Sequence, residues 1–204
     1  NFAGKPLYSW ILNTLLNVEE IEKIIINTDA KEILIKDELI QNDKIKLIER
    51  PKYLCGDEVS MNKIIEYDLS HTYSDVFVMT HTTNPLLSKE TISACINEYI
   101  LKKKLSNYDS LFTVNAIQTR FYTKNGKPIN HNPKKLIPTQ ELDKIYEENS
   151  NLYIFSKESF LSTSSRIGKN PILFETPKNE AIDIDTNDEW EMAESMAYYK
   201  KIKK

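Results

Sequence analysis

The chain has 204 residues, of which 40% are apolar and 28% are charged, and its formal net charge is -3. These values predict a globular protein with a packed core, and they exclude a general electrostatic attraction to nucleic acid or to an anionic membrane. Cys55 and Cys95 form no CxxC or Cys/His cluster, and no apolar run is long enough to span a membrane. We therefore expect a cytoplasmic protein without a disulfide framework.

The first half of the chain alternates between helical and strand patterns. Residues 6–17 carry apolar positions at helical spacing, and "IEKIIINTD" at 21–29 is dense in isoleucine, as in a strand buried on both faces. Further strands are predicted in "KIKLIERP", "DVFVMTH" and "DSLFTVNAI", and further helices in "MNKIIEYDL" behind Ser60 and "KETISACINEYILKKK" behind Ser88. This alternation predicts an α/β fold, with a parallel sheet covered by helices on both faces.

The pattern changes between residues 119 and 150, where Gly, Pro and Asn are frequent and no periodicity is sustained. We interpret 119–150 as an arm inserted into an α/β domain formed by residues 1–118 and 151–204. Strand character returns in "NLYIFS" and "ILFE". The capping-box spacing of Thr186 and Glu189 predicts the start of the last helix.

Two carboxylates, Asp183 and Asp185, lie two residues apart in "EAIDIDTNDEW". In an extended strand end both side chains point to the same face, where like charges repel unless a cation lies between them. The pair therefore indicates a metal site just before the last helix. The alternative is a solvated strand end whose acidic residues favour the N-terminus of the following helix.

Loop-forming residues follow the predicted strands and are expected to open on one rim of the sheet, where ligands of such folds bind. Arg50 lies just past a strand end, where its guanidinium can reach a base or a phosphate, although a surface arginine beside a turn fits as well. Thr80–Thr83 and Asn84 surround His81 with groups suited to a polyhydroxylated ligand, or to ordinary turns and caps. No Ser or Cys nucleophile motif surrounds His81, so a hydrogen-bonding role is favoured over acid–base chemistry.

Six segments in a fixed order resemble one known family over nearly the whole chain. They are "N-x-x-GKP", "I-x-x-TD", "RP-x-x-L-x-x-D-x-x-S", "THTTNPL", "Y-x-EN-x-x-x-Y-x-F" and "IDID-x-x-x-EW-x-x-AE". This set is similar to the acylneuraminate cytidylyltransferases, also called CMP-sialic acid synthetases. The resemblance implies a Rossmann-like three-layer fold, and an arm that makes a homodimer. It also implies Mg2+-dependent transfer of CMP from CTP to a sialic-acid-like sugar acid, with pyrophosphate released.

The resemblance also implies roles for individual residues. Asn1 matches the residue that ends the family's nucleotide loop, Arg50 matches the contact to the cytosine region, and Ser60 falls where a hydroxyl meets the nucleotide. Asp183 and Asp185 match the metal carboxylates, which makes them the catalytic pair.

The substrate side is implied by other positions. His81 stands where many members have a Gln that touches the sugar, and Thr83 belongs to the same lining. The family's arm and sugar-pocket segment holds the remaining candidates, which are Gln140, Tyr146, Asn149 and Tyr153.

Two departures from the family pattern matter. The family's phosphate loop of Arg, Gly, Ser and Lys would precede Asn1, so we expect a trimmed sequence that binds CTP poorly as it stands. Leu87, Pro138 and Thr139 stand where members carry arginines, one of which commonly meets the sugar carboxylate. Arg120, Lys134 or Lys135 could supply that cation.

Two other functions stay open at this point. A metal-dependent phosphatase or hydrolase would use paired aspartates, but it would need further acidic ligands near a phosphate loop. A non-catalytic nucleotide- or sugar-binding subunit is favoured by the absence of a phosphate loop.

Overall fold

The computed structural model describes the backbone of residues 1–202 and the side chains of residues 1–200. Its helices are α1 Leu7–Leu16, α2 Lys31–Leu34, α3 Met61–Ser70, α4 Lys89–Leu105, α5 Lys157–Thr163 and α6 Asn187–Ile202. Its strands are β1 Ile24–Thr28, β2 Ile45–Glu49, β3 Val76–Met79, β4 Ser110–Ile117, β5 Ile145–Ser156 and β6 Pro171–Glu175. The alternation of helices and strands predicted from the sequence is confirmed.

The strands form two sheets. β1 and β2 pair in parallel, and the second sheet has the order β3-β5-β4-β6. β4 and β6 are parallel, whereas β5 runs antiparallel to both of its neighbours, β3 and β4. β3, β4 and β6 therefore run in the same direction, and the mainly parallel sheet expected from the sequence has one reversed strand. The reversal follows from the arm, which returns the chain from the end of β4 to the start of its neighbour β5.

Successive residues of β5 point alternately into two different cores, because side chains of a strand alternate between its two faces. Leu152 and Ile154 pack in a core with residues of α1 and α4, and Tyr153 and Phe155 pack against residues of α3 and α5. Side chains of β1 and β2 belong to the first core too, so both sheets share one helical layer. The three-layer arrangement is confirmed, and each fully buried side chain of this size stabilises the fold by about 1.5–3 kcal/mol.

Helix caps fix where several helices begin. Ser88 Oγ accepts a hydrogen bond from Thr91 N at 3.2 Å, which starts α4. At the start of α6, Glu189 N donates to Thr186 Oγ1 at 3.3 Å and Thr186 N donates to Glu189 Oε2 at 2.8 Å. The predicted capping box is therefore present, and a cap of this kind stabilises a helix by about 1 kcal/mol.

The arm leaves the sheet between β4 and β5. Residues 145–150, which the sequence pattern places in the arm, continue β5 and pair with the end of β4. The rest of the arm holds a short helix, Thr139–Glu141, and one isolated bridge between Tyr122 and Pro128. Among the described residues, no helix is both long and apolar enough to cross a bilayer.

The N-terminal residues are anchored on the last helix. Phe2 is fully buried, and its ring meets those of Trp10 and Trp190 edge-on, with centroids 5.4 Å away in each case. Ala3 and Gly4 have positive φ angles, which let Lys5 turn back and pair with Phe2. The cluster around Phe2 also contains Ile182 and Ile184, so the start of the chain packs beside the segment that carries the two aspartates.

Changing Phe2 to Ala should destabilise the protein by about 3–5 kcal/mol, because a large side chain leaves a closed core. Both tryptophans of the chain touch Phe2, so their native-state emission should also shift to longer wavelength. Urea unfolding and fluorescence spectra measure both effects. Phe160→Ala is the control: Phe160 is equally buried but packs in another cluster, so this change should lower stability without moving the native emission. An unchanged spectrum for Phe2→Ala would contradict the described packing.

Candidate active site

The aspartate pair lies in an extended segment that is not part of a strand, since β6 ends at Glu175. The strand end predicted for this segment is therefore wrong. Ile184 N donates to Thr83 O at 3.0 Å, which ties the segment to the loop after β3. Ile182 and Ile184 pack into the Phe2 cluster, and the charges of Asp183 and Asp185 both act on His81. Both carboxylates therefore lie near His81, with Asp183 half-buried and Asp185 exposed.

One oxygen of this pair has no protein partner. Asp183 Oδ1 is buried and accepts no hydrogen bond, which is costly for a carboxylate unless a ligand completes it. Among residues 1–200, no three His, Cys, Asp or Glu side chains are arranged to hold a metal. Mg2+ typically takes one or two protein carboxylates and completes its shell with substrate phosphates and water. The donors present fit that kind of site.

A buried polar network holds the segment in place. Asn84 Nδ2 donates to Asn151 Oδ1 at 2.9 Å, and Asn151 Nδ2 donates to Glu180 O at 2.8 Å. Glu180 in turn accepts from Ser88 N through Oε2 at 3.0 Å. Asn84 and Asn151 are both fully buried. The network therefore joins the loop after β3, the middle of β5 and the start of the aspartate segment.

Beside the aspartates, His81 meets an arginine that the sequence analysis did not single out. Arg166 Nη1 lies 3.4 Å from His81 Nε2, and Arg166 Nη2 donates to the Tyr153 hydroxyl at 2.9 Å. The guanidinium carbon lies 3.8 Å from the centre of the Tyr153 ring. Glu148 Oε1 lies 3.5 Å from Nη2 and also accepts from the Tyr153 hydroxyl. These side chains form a compact polar cluster on the predicted sugar side.

The cluster sets the protonation of two of its members. Burial lowers the pKa of His81, and the Arg166 charge lowers it further, against the opposing effect of Asp183 and Asp185. A guanidinium can only donate, so Nε2 of the neutral imidazole accepts and Nδ1 carries the proton. Burial and the Glu148 carboxylate raise the pKa of Tyr153 to about 12. Both groups are therefore neutral hydrogen-bonding groups near pH 7, as expected for His81 from the sequence.

The loop that carries Arg166 is held by Asp109. This carboxylate accepts from Lys169 N at 2.8 Å and from Asn170 N at 3.1 Å. A Cβ on Gly168 would lie 2.3 Å from Asp109 Oδ1, so only glycine fits there without a shift. No motif marks this loop in the sequence, which explains why Arg166 was missed. The sole signal is an arginine two residues before a glycine.

Of the predicted nucleotide residues, Arg50 directly follows β2, Ser60 caps α3 and Asn1 is the first residue of the chain. Arg50 Nε donates to Asn27 Oδ1 at 3.0 Å and Nη2 donates to Asn27 O at 2.8 Å, which leaves Nη1 for a ligand. Asn27 Nδ2 donates to Asp68 at 2.6 Å, so Asp68 fixes the amide that receives Arg50. Burial raises the pKa of Asp68, while Asn27 and Arg50 oppose this. Ser60 Oγ accepts from the backbone of α3 as its cap, and Asn1 is exposed.

The predicted substrate residues do not all meet in one place. His81 and Tyr153 share the Arg166 cluster, and Thr83 contributes its carbonyl to the aspartate segment. Tyr146 donates from its hydroxyl to Glu175 at 3.2 Å. Asn149 is buried.

The amide of Asn149 is used within the protein. Its Nδ2 donates to Asn115 at 3.0 Å and to Thr176 at 2.7 Å. Arg120 donates to Ile137 O, and the carbonyl of Gln140 accepts from Gln118 at 2.9 Å, so both residues stay within the arm. An open groove of about 380 Å³ lies between the ends of β4 and β5 and the segment that holds Lys178 and Ala181.

Asn151→Ala should lower the free energy of unfolding by about 2–4 kcal/mol, because it removes two buried hydrogen bonds, from Asn84 and to the carbonyl of Glu180. Asn97→Ala, which removes an exposed amide from α4, is the control and should change stability by less than about 0.5 kcal/mol. Urea denaturation of both variants provides the comparison. Equal stability of the two would show that the network does not hold the segment.

Nearly the whole chain is similar in sequence to known proteins. A family model described as cytidylyltransferase matches residues 1–203. A pseudaminic acid cytidylyltransferase of Campylobacter jejuni subsp. jejuni serotype O:2 is 24% identical over 95% of this chain and 85% of that protein. An N-acylneuraminate cytidylyltransferase of Escherichia coli O18:K1:H7 is 22% identical over 93% of this chain and 45% of that protein.

Two solved structures share the fold. A 4-diphosphocytidyl-2C-methyl-D-erythritol synthase from Anaerococcus prevotii has a TM-score of 0.67 at 14% identity, covering 98% of this chain and 88% of that one. A CMP:2-keto-3-deoxy-manno-octonic acid synthetase in complex with CTP has a TM-score of 0.66 at 12% identity, covering 98% and 90%. The Rossmann-like fold expected from the sequence is therefore confirmed. Because the family model extends over nearly every residue, the chain belongs to the cytidylyltransferase family.

Proposed function

We propose that the protein transfers CMP from CTP to a sialic-acid-like sugar acid and releases pyrophosphate, with Mg2+ as cofactor. The observation that carries this proposal is the buried, unpaired oxygen of Asp183 beside Asp185 in a member of a cytidylyltransferase family. The names of the relatives, which include pseudaminic acid and N-acylneuraminate enzymes, support a nine-carbon sugar acid as the class of acceptor. Family membership favours nucleotidyl transfer over the phosphatase or hydrolase alternative.

Asp183 and Asp185 are the residues that would hold Mg2+. When bound, the ion supplies positive charge against the phosphates as pyrophosphate leaves. The packed Ile182 and Ile184 anchor the segment, and the charges of both carboxylates act on His81. A fixed carboxylate pair lowers the cost of ordering the site, because little side-chain motion is lost when the nucleotide binds.

The other residues of the site orient the two substrates. The free Nη1 of Arg50 provides a donor for the cytosine region, with its position fixed through Asn27 and Asp68. The neutral His81 presents Nδ1–H to a sugar hydroxyl, and Thr83 belongs to the same lining. Phe2 and Ile184 belong to one cluster, so the first described residues lie beside the aspartate segment.

Pyrophosphate release by the full gene product, including any residues encoded before Asn1, tests the proposed function. CTP, UTP, ATP and GTP would each be combined with Mg2+ and with N-acetylneuraminic, pseudaminic or 2-keto-3-deoxy-manno-octonic acid. We expect release with CTP and a nine-carbon acid. Tight binding of CTP without release for any acid would instead support a non-catalytic binding subunit, and release of inorganic phosphate alone would support a phosphatase.

Asp183→Asn and Asp185→Asn should each lower turnover more than about tenfold while leaving the melting temperature nearly unchanged, because each keeps the shape but removes one charge. Turnover and thermal melting of the same samples test this. Asp188→Asn removes a charge from the first turn of α6 and should leave turnover close to wild type. A structural role predicts the reverse pattern, with full activity and slightly higher stability from relieved repulsion. Wild-type turnover of both pair variants would overturn the metal assignment.

We also propose that the arm makes a homodimer. It exposes a set of large apolar side chains that its own fold does not cover, namely Tyr122, Ile129, Leu136, Ile145 and Tyr146. A group of exposed apolar residues on one inserted segment is typical of a protein–protein interface.

Leu136→Asp should convert the dimer to a monomer, because it introduces a charge at a side chain that is 78% exposed in the single chain. Light scattering at micromolar concentration gives the mass. Leu105→Asp is the matched control: it changes a leucine that is 73% exposed on α4, away from the arm, and should leave the dimer intact. A monomeric wild type, or a dimeric Leu136→Asp variant, would contradict the proposed interface.

A further inference from the structure

The charged side chain of Arg166 is largely buried but makes few close hydrogen bonds. Its side chain is 20% exposed, and among the described residues only its bond to the Tyr153 hydroxyl, at 2.9 Å, is shorter than 3.0 Å. The other contacts are long: 3.4 Å to His81, 3.5 Å to Glu148 and 3.7 Å to the sulfur of Met79. A guanidinium has five N–H donors, and Nε of Arg166 has no partner among the residues described. The group retains donors for an anionic ligand.

The guanidinium is presented rigidly. The backbone of its loop is bound by Asp109 on one side, and Arg166 N donates to Asn62 Oδ1 of α3 at 3.4 Å on the other. Gly168 N donates to the buried Ser110 hydroxyl at 2.8 Å. The guanidinium carbon also packs over the Tyr153 ring, 3.8 Å from its centre, in a cation–π contact. A fixed planar fork of this kind matches a planar carboxylate, because two parallel hydrogen bonds can form.

We propose that Arg166 binds the carboxylate of the sugar acid, an assignment that rests on the proposed function. Two oxyanions enter the site, a phosphate and a carboxylate, and Arg166 could meet either. Its contacts are to the imidazole of His81, the phenol of Tyr153 and the carboxylate of Glu148, which form a lining for a hydroxylated acid. The phosphates would instead bind a cation held by Asp183 and Asp185. Glu148, whose side chain is 41% exposed, partly fills the position beside the guanidinium that the substrate carboxylate would take.

This assignment replaces the cations considered from the sequence alone. Arg120 is engaged with the carbonyl of Ile137, and Lys134 and Lys135 are exposed on the arm. Of these four cations, Arg166 is the one that contacts His81 and Tyr153.

The test compares a free acid with its neutral C1 amide. Full gene product carrying Arg166→Met or Arg166→Lys would be assayed with CTP, Mg2+ and whichever of pseudaminic or N-acetylneuraminic acid the wild type converts, and with the corresponding amide. We expect kcat/KM for the acid to fall about 10- to 100-fold in Arg166→Met. KM for CTP should stay within about twofold, because the phosphates bind elsewhere. The ratio of kcat/KM for the acid to kcat/KM for the amide should fall by the same factor as kcat/KM for the acid.

Arg166→Lys keeps the charge without the fork and should recover part of the preference for the acid. Lys169→Met, which removes an exposed charge from the same loop, is the control and should behave as wild type. A merely structural role for Arg166 would lower activity on acid and amide alike, and an unchanged acid/amide ratio in both variants would overturn the assignment. A rise in KM for CTP alone would assign the arginine to a phosphate and overturn it too. If the wild type converts neither acid, the proposed function fails first, and this inference fails with it.

Discussion

The buried hydrogen bonds of Asn84, Asn151 and Glu180 are the interaction on which the site depends. An amide in a dry core must be paired, so the two asparagines fix three segments that are far apart in the sequence. The loop after β3 brings His81, β5 brings Tyr153, and the segment after Glu180 brings the aspartates. These hydrogen bonds therefore bring the side chains of the three segments next to one another.

Helix α3 likewise links the predicted nucleotide side of the site to its predicted sugar side. Asp68 near its end fixes the amide of Asn27 and, through it, Arg50 on the nucleotide side. Asn62 in its first turn accepts from the backbone of Arg166 on the sugar side. One helix of ten residues therefore contacts both groups of predicted ligand-binding residues, and it is anchored by packing Ile65 and Leu69 against the second sheet.

Apolar periodicity and helix caps suffice to predict most of the elements, because the isoleucine-rich strands and the Ser88 and Thr186 caps are local signals. The direction of β5 cannot be predicted from local signals, because an apolar run has the same pattern in a parallel and in an antiparallel strand. The arm that reverses the chain has no periodic pattern either. The aspartate pair is predictable from its spacing. Arg166 is not, because its role arises from contacts with residues 13 and 85 positions away in the chain.

The charge distribution of the site explains how a chain with a net charge of -3 can accept two anionic substrates. Negative charge is concentrated at Asp183 and Asp185, which are the residues that would hold the proposed Mg2+, and positive charge lies at Arg166 and Arg50. His81 lies between, and burial together with Arg166 lowers its pKa more strongly than the aspartates raise it. A neutral imidazole fits this position, since a protonated one would be repelled by Arg166. Anions are thus attracted by individual charged groups of the site, and a basic protein surface is not required.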